Sequence, residues 1–297
     1  MLHSSLVFNQ RKIEVTMLFF TSRFLCIGVI MTTLLSANSN EDAWKGDEYA
    51  KNSASQKASA EEFMHGVPFK GTEHILDVGC GDGKITVAMA RAVPQGTVIG
   101  VDISSSMIQA AQTAFSHQKN LSFYVENAAT ISFEQSFDLI TSFTVMQWVL
   151  EQSQALQCFE KALKPGGRLW IQMPTGLPTA MEQALEKTIL RARWRDYFTQ
   201  FSAPWRFYQA DEYRDLLVEA QLVPTRLDLV TKHELFPSRT VFHGFLKQWF
   251  PYLRPIPLDQ KEAFLTDLLD EYLQLLPPDE HGRVSFIVER LEVEATK

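Results

Sequence analysis

His74-Ile75-Leu76-Asp77-Val78-Gly79-Cys80-Gly81-Asp82-Gly83-Lys84 decides the reading of this chain. An apolar strand runs into an acidic residue, and glycines at alternate positions lead into a stretch with helical spacing, Lys84 to Ala92. Glycine tolerates positive φ and has no Cβ, so such a loop can bring its backbone against a ligand. The helix that follows turns its positive N-terminal end the same way. A dinucleotide fingerprint reads G-x-G-x-x-G, and here the third glycine comes one residue early. Asp77 also argues against a dinucleotide, because its carboxylate would face a pyrophosphate. It suits the ammonium group of an amino-acid ligand instead. The pattern D-x-G-x-G-x-G after a strand therefore favours S-adenosyl-L-methionine, with an ordinary glycine turn as the bland alternative.

Downstream residues agree. Thr97 to Asp102 reads as a second buried strand ending in a carboxylate, about twenty residues on, where doubly wound folds place the acid for the ribose hydroxyls. Asp102 could instead cap a helix, but Ser104 already fills that role for Met107 to Phe115. Leu121 to Glu126 alternates like a third strand and ends at Asn127-Ala128. Phe137 to Ser142 is a fourth strand, and Gly167 to Met173 a fifth, launched by the turn Lys164-Pro165-Gly166-Gly167. Strands alternating with helices mean parallel pairing through right-handed crossovers. Further on, the pattern predicts a helix over Thr179 to Phe198, a loop over Ser202 to Tyr208, a helix over Asp211 to Ala220 and a strand over Thr225 to Lys232. Arg239 to Leu276 reads as helix broken at Pro251, Pro255 and Pro257, and Val284 to Val288 as a last strand. The expected fold is a Rossmann-like, doubly wound, mostly parallel α/β sheet of seven strands with a helical cap inserted near the C-terminal half. Insertions at the carboxyl ends of strands lie over the ligand crevice. Trp194, Tyr197, Phe198, Trp205, Phe207, Tyr208, Trp249, Phe250 and Tyr252 would then wall an acceptor pocket or pack the cap on the core.

Composition bounds the rest. At 297 residues with net charge −7 and no basic block, the chain lacks the electrostatic footprint of a nucleic-acid binder. Its local basic cluster, Arg191, Arg193 and Arg195, reads as a solvated helix face. Cys26, Cys80 and Cys158 have no metal-ligand spacing, so a metal-free protein is expected. The apolar run Phe24 to Leu35 follows Arg11, Lys12 and Arg23; it is too short to span a membrane and resembles a signal-peptide core. Because S-adenosylmethionine is a cytosolic compound, residues 1–41 are read as a dispensable or mis-started extension, with Met17 and Met31 as other starts, and the protein as cytoplasmic without stable membrane insertion. Asp42 to Met64 reads as an amphipathic helix. The expected organisation is a lid over 42–70, a cofactor core over 71–173 and an acceptor-binding cap with the last strands over 174–297.

On Asp77 to Gly83, Asp102-Ile103-Ser104, Phe137-Asp138-Leu139-Ile140 and Leu163 to Gly167, the chain resembles class I S-adenosylmethionine-dependent methyltransferases from about Trp44 onward. Gln147-Trp148-Val149, Gln172-Met173-Pro174 and the tail segments Trp249 to Pro255, Phe264 to Tyr272 and Gly282-Arg283 make it most similar to the carboxyl methyltransferases related to trans-aconitate 2-methyltransferase and insect juvenile hormone acid methyltransferase. The resemblance implies that Asp77, Gly79, Cys80, Gly81, Asp102, Ile103, Asn127, Ala128 and Ser142 surround the cofactor, with Tyr49 of the lid near its methionine end. It also implies that Gln56 and Trp148 hold an acceptor carboxylate. Taken alone, Gln56 reads rather as a solvent-facing lid residue, and Trp148 equally as core packing. Asn127 departs from the family's usual aspartate, whose carboxylate takes the adenine amino group; an amide oxygen can still accept that bond.

The implied chemistry is in-line displacement at a sulfonium methyl by a small-molecule acid. A carboxylate is ionised at neutral pH and needs no general base. Two rivals stand beside it: methylation of a malonyl-carrier protein, which would ask for a basic rim such as Arg191/Arg193/Arg195, and a non-catalytic cofactor-binding subunit whose pocket is plugged. A monomer is expected.

Overall fold

The computed structural model describes residues 69–297; they belong to one compact unit, 39–297. Strands β1 (His74–Val78), β2 (Thr97–Asp102), β3 (Leu121–Val125), β4 (Phe137–Phe143), β5 (Leu163–Pro174), β6 (Val223–Phe236) and β7 (Val284–Thr296) form one sheet in the order β3-β2-β1-β4-β5-β7-β6. The first five pair in parallel, and β7 lies antiparallel between β5 and β6. The helices are α1 (Lys84–Ala92), α2 (Ser105–Phe115), α3 (Gln152–Ala162), α4 (Thr179–Ile189), α5 (Ala210–Glu219), α6 (Arg239–Trp249) and α7 (Lys261–Leu275). The seven-stranded, mostly parallel expectation holds.

Central parallel strands are covered on both faces and must be apolar throughout. Ile75, Leu76, Leu139 and Ile140 are accordingly fully buried. One face packs against α3 and α5 through Leu156, Phe159, Tyr213 and Leu217; the other carries Met89, Ala90 and Val93 of the α1 region against Ile75, Val98 and Leu139. Ser104 caps α2 by accepting from the Met107 N–H at 3.3 Å. Gln209 and Glu212 form a reciprocal capping box at the start of α5.

A second core holds the cap together. Met181 and Leu185 of α4, Phe242 and Leu246 of α6, and Phe264, Leu268 and Tyr272 of α7 pack on Phe236, Val284, Phe286 and Val288. The reason lies in strand length. β7 pairs with β5 only from Arg290 onward, whereas it pairs with β6 along its whole length from Val284. The two strands thus run past the sheet as a ribbon, and the cap helices bury its apolar side.

Several boundaries differ from the sequence expectation: the last two strands run longer, over Val223–Phe236 and Val284–Thr296. The helix begun at Thr179 stops at Ile189, and Arg195–Phe198 is a separate 3-10 turn. Trp194 is the cause: its indole is fully buried edge-on to Phe264 and donates Nε1–H to Asp267 at 2.7 Å, which a continuous helix could not deliver. β5 begins at Leu163, so Lys164-Pro165-Gly166-Gly167 is absorbed as an irregularity in the strand, with a register shift opposite Phe137/Leu139.

Candidate active site

The carboxyl ends of β1 to β4 converge on one crevice. After β1, Gly79, Gly81 and Gly83 adopt φ of 73°, 53° and 78°. The Gly79 and Cys80 N–H groups donate to the Val101 carbonyl at 2.7 and 3.0 Å, and the Gly81 N–H donates to Asp102 Oδ2 at 2.9 Å. Asp102 Oδ1 accepts from the Ser104 N–H at 2.9 Å. One carboxylate thereby fixes the glycine loop and the entry to α2, and each oxygen keeps a lone pair for vicinal hydroxyls. Burial raises the Asp102 pKa, against the lowering effect of those backbone bonds. Ile103 beside it is half-buried.

Asp77 is almost wholly buried. Its Oδ2 accepts from Thr86 Oγ1 at 2.6 Å and its Oδ1 from Thr141 Oγ1 at 2.9 Å, so it ties α1 and β4 to the end of β1. Burial pushes its carboxyl up to about 6, the two hydroxyls pull it back, and the Asp102 charge adds to the rise. Cys80 packs with Ile108, Ala111 and Phe123, and burial pushes its thiol well up, so it is an inert filler whose backbone shapes the loop. Asn127 is exposed at the end of β3, with Oδ1 accepting from the Ala129 N–H at 2.9 Å; Ala128 is buried beside it. Ser142 donates to the Val78 carbonyl at 3.1 Å and serves the β1–β4 pairing. A Cβ on Gly79 would meet Val145 Cγ2 at 2.2 Å, so the chain's own β4 turn already requires a glycine there. Tyr49 and Gln56 lie outside the described residues.

Beyond β4 the backbone does something the sequence does not announce. Thr144 sits at φ 60°, a left-handed conformation costly for a β-branched residue. Its N–H donates to the Gln172 carbonyl at 2.7 Å, and its own carbonyl accepts from Gln147 Nε2 at 3.0 Å. The following 3-10 turn, Met146–Trp148, is pinned from below by Gln152 Nε2 on the Met146 carbonyl at 2.7 Å. It is pinned from the side by the Arg206 N–H on the Gln147 carbonyl at 2.8 Å. Trp148 lines a cleft that also involves Gln147, the β5 end (Pro174 to Pro178), the ribbon and α6. Its ring lies 5.3 Å from Trp205, which lies 5.3 Å from Phe207 and 6.2 Å from Trp249. Of the nine aromatics marked in the sequence, Trp205, Phe207 and Trp249 line this cleft. Trp194, Tyr208 and Phe250 are instead buried in the cores.

Arg191 is engaged by Glu271 and by Asp267, the latter at 3.4 Å; the Arg193 guanidinium lies 4.3 Å over Trp194, and Arg195 pairs with Asp196 at 3.4 Å. Arg191 therefore ties α4 to α7, while Arg193 and Arg195 remain exposed. Among the described residues no group of His, Cys, Asp and Glu is placed to hold a metal ion, and no helix is long and apolar enough to cross a membrane.

The sheet order, the glycine loop and the acid after β2 define a class I methyltransferase, and comparison with known proteins agrees. A family model described as a methyltransferase domain matches residues 69–221, just over half of the chain, and the chain belongs to that family. It is an S-adenosylmethionine-dependent methyltransferase. Among curated relatives, trans-aconitate 2-methyltransferase of Rhodopseudomonas palustris (strain BisB5) is 26% identical over 254 residues, covering 81% of this chain and 94% of that protein. The YcgJ protein from Bacillus subtilis superposes with a TM-score of 0.57 at 16% identity, over 81% of this chain and 98% of that one. The [4+2]-cyclase SpnF does so with 0.52 at 15% identity, over 81% and 80%. A cyclase on this fold shows that the sheet alone does not fix the reaction.

Proposed function

We propose that this enzyme methylates the carboxylate of a small organic acid. The observation that carries the reading is the lining of the cleft. Its described residues include no His, Lys, Cys, Tyr or Asp, and its single carboxylate, Glu234, is paired with Arg290 at 2.5 Å. Glu234 stands on β6, three strands from β4 and hence about 14 Å from that strand's line by ordinary strand spacing. Among the described residues, an acceptor that must lose a proton finds no base beside Gln147 and Trp148, whereas a carboxylate arrives ionised.

Bound at the glycine loop, S-adenosylmethionine supplies a methyl group on a sulfonium whose departing sulfide needs no proton. Asp102 suits the ribose hydroxyls, Asn127 and Ala128 the adenine edge, and Asp77 the ammonium group. The chain's own work is alignment and exclusion of water. The pinned turn Met146–Trp148 holds the Trp148 indole at the mouth of an aromatic cleft, where its N–H would bind the carboxylate without neutralising it. Gln56 of the lid would be the second neutral donor. The homologous trans-aconitate enzymes support the carboxyl reading. The open cleft favours a catalyst over a plugged scaffold.

Gln147 favours a second reading, because its buried Oε1 has no protein donor. An acceptor hydroxyl would satisfy it, although an amide is too weak a base to activate that hydroxyl. The experiment is a screen of acids and alcohols with methyl-labelled S-adenosylmethionine. Base-labile methyl esters are expected, and base-stable ethers would overturn the carboxyl reading. With an accepted acid, Trp148→Phe should lower kcat/KM about ten- to a hundredfold, the cost of one bond to a charged group, while S-adenosylhomocysteine affinity stays put. Unchanged kcat/KM would remove Trp148 from the site.

A further inference from the structure

The far end of the cleft holds a set of buried polar atoms that methyl transfer does not use. Glu234 and Phe286 are cross-strand partners on the ribbon, so their side chains share a face. Phe286 lies 5.8 Å from Phe245, which lies 5.6 Å from Trp249, and Glu234 and Trp249 both line the cleft. Glu234 Oε1 accepts from Arg290, and the Arg290 guanidinium also donates to Gln172 Oε1 at 3.3 Å. Glu234 Oε2 and Trp249 Nε1 are both buried without a hydrogen-bond partner. Buried polar atoms in folded proteins are satisfied, and two orphans of opposite kind in the wall of one cleft point to a ligand that supplies both partners.

Resting on the carboxyl reading above, we infer that the acceptor is an acid with a single carboxylate, a flat apolar body and a neutral hydroxyl at its far end, seated between Glu234 and Trp249. A hydroxyl is the simplest group that both donates to Oε2 and accepts from an indole N–H. The body stacks along the tryptophans and phenylalanines of the wall. A polycarboxylate is disfavoured, because the cleft's cation among the described residues, Arg290, is already balanced by Glu234. Surplus carboxylates would be stripped of water beside an aromatic wall with no further cation among its described residues.

Calorimetry on the full chain saturated with S-adenosylhomocysteine tests this with three probes: trans-aconitate, hydrocinnamate and para-hydroxyhydrocinnamate. The para-hydroxy acid should bind about tenfold more tightly than hydrocinnamate, and both more tightly than trans-aconitate. Trp249→Phe removes the N–H together with part of the indole, so it should erase most of the hydroxyl advantage, read as the ratio of para-hydroxyhydrocinnamate to hydrocinnamate affinity. Glu234→Gln unbalances Arg290 and should raise trans-aconitate affinity at least tenfold, a gain that misfolding cannot imitate. Equal binding of the two aryl acids, no binding by either, tighter binding of trans-aconitate by the unaltered enzyme, or no gain in Glu234→Gln would each overturn the assignment. Failure of the carboxyl reading looks different: hydrocinnamyl alcohol would be methylated in place of the acids. The hydroxyl site would survive that result if the para-hydroxy alcohol were still preferred.

Discussion

Replacing Gly79 with alanine separates two reasons for the same glycine. The first is backbone strain: at φ 73° a Cβ costs about 1–2 kcal/mol. The second is collision. The new Cβ would lie 2.2 and 2.5 Å from the two Val145 methyls and 2.8 Å from its Cβ, and valine's stiff χ1 offers no easy exit. Overpacking of that kind adds about 1–3 kcal/mol. Gly166 provides the control, since at φ 76° a Cβ there meets nothing within 4 Å. Gly166→Ala should therefore cost only the strain. Gly79→Ala should cost about 2–5 kcal/mol and lower Tm on the order of 10 °C for a domain of this size. Val145 precedes Met146–Trp148, so displacing it should also weaken acid binding in a titration of the S-adenosylhomocysteine complex. Adding Val145→Ala removes the two nearest atoms and leaves the contact at 2.8 Å. The double variant should therefore be less damaged than the sum by about 1 kcal/mol or more. Thermal unfolding of the unaltered protein, the three single variants Gly79→Ala, Gly166→Ala and Val145→Ala, and the double variant is the assay, and equal Tm losses in Gly79→Ala and Gly166→Ala would refute the collision argument.

Two further outcomes follow from the carboxylates. Burial raises the folded pKa of Asp77 to about 6, above the ordinary carboxylate range, so its ionisation opposes folding. Stability should be greatest below pH 4 as far as this group is concerned, fall as pH rises through 4 to 6, and lose on the order of 3 kcal/mol above that. Asp77→Asn should flatten this slope in denaturant titrations. If Asp77 faces the cofactor's ammonium group, S-adenosylmethionine affinity should rise across pH 5 to 7 in the unaltered enzyme, and a flat profile would exclude that contact. Asp102→Ala removes two charge-assisted bonds to backbone N–H groups along with the ribose acceptor. S-adenosylhomocysteine affinity should fall at least a hundredfold, and a loss under tenfold would leave Asp102 with only its loop-fixing role.

The cofactor half of the fold was legible because its signals are local. A strand, a glycine loop with left-handed turns and a capped helix each follow from a few adjacent residues, and Ser104 proved to be the cap that its position before Met107 suggested. The acceptor half was less so. Thr144 in a left-handed conformation leaves no mark in sequence, since threonine does not ordinarily go there. Glu234 and Arg290 are 56 residues apart and read singly as strand polar residues; only β6–β7 register brings them together. Trp194 and Trp205 look alike in the chain, yet one is core and the other cleft wall. Distance along the chain, not chemistry, separates what could be read from what could not.

The place of β7 bears on how the enzyme comes into being. It is the last strand in sequence and yet sits between two that precede it. While the nascent chain is still being translated, β1 to β4 are contiguous from 74 to 143 and can assemble early. β6 has no neighbour until β7 emerges, and β5 waits with an unsatisfied edge. For that interval the chain exposes two open strand edges, the usual route to aggregation. Arg290, Phe286 and Val288 arrive with the strand that closes the gap. The ability to hold a methyl donor is thus acquired well before the ability to choose what receives the methyl.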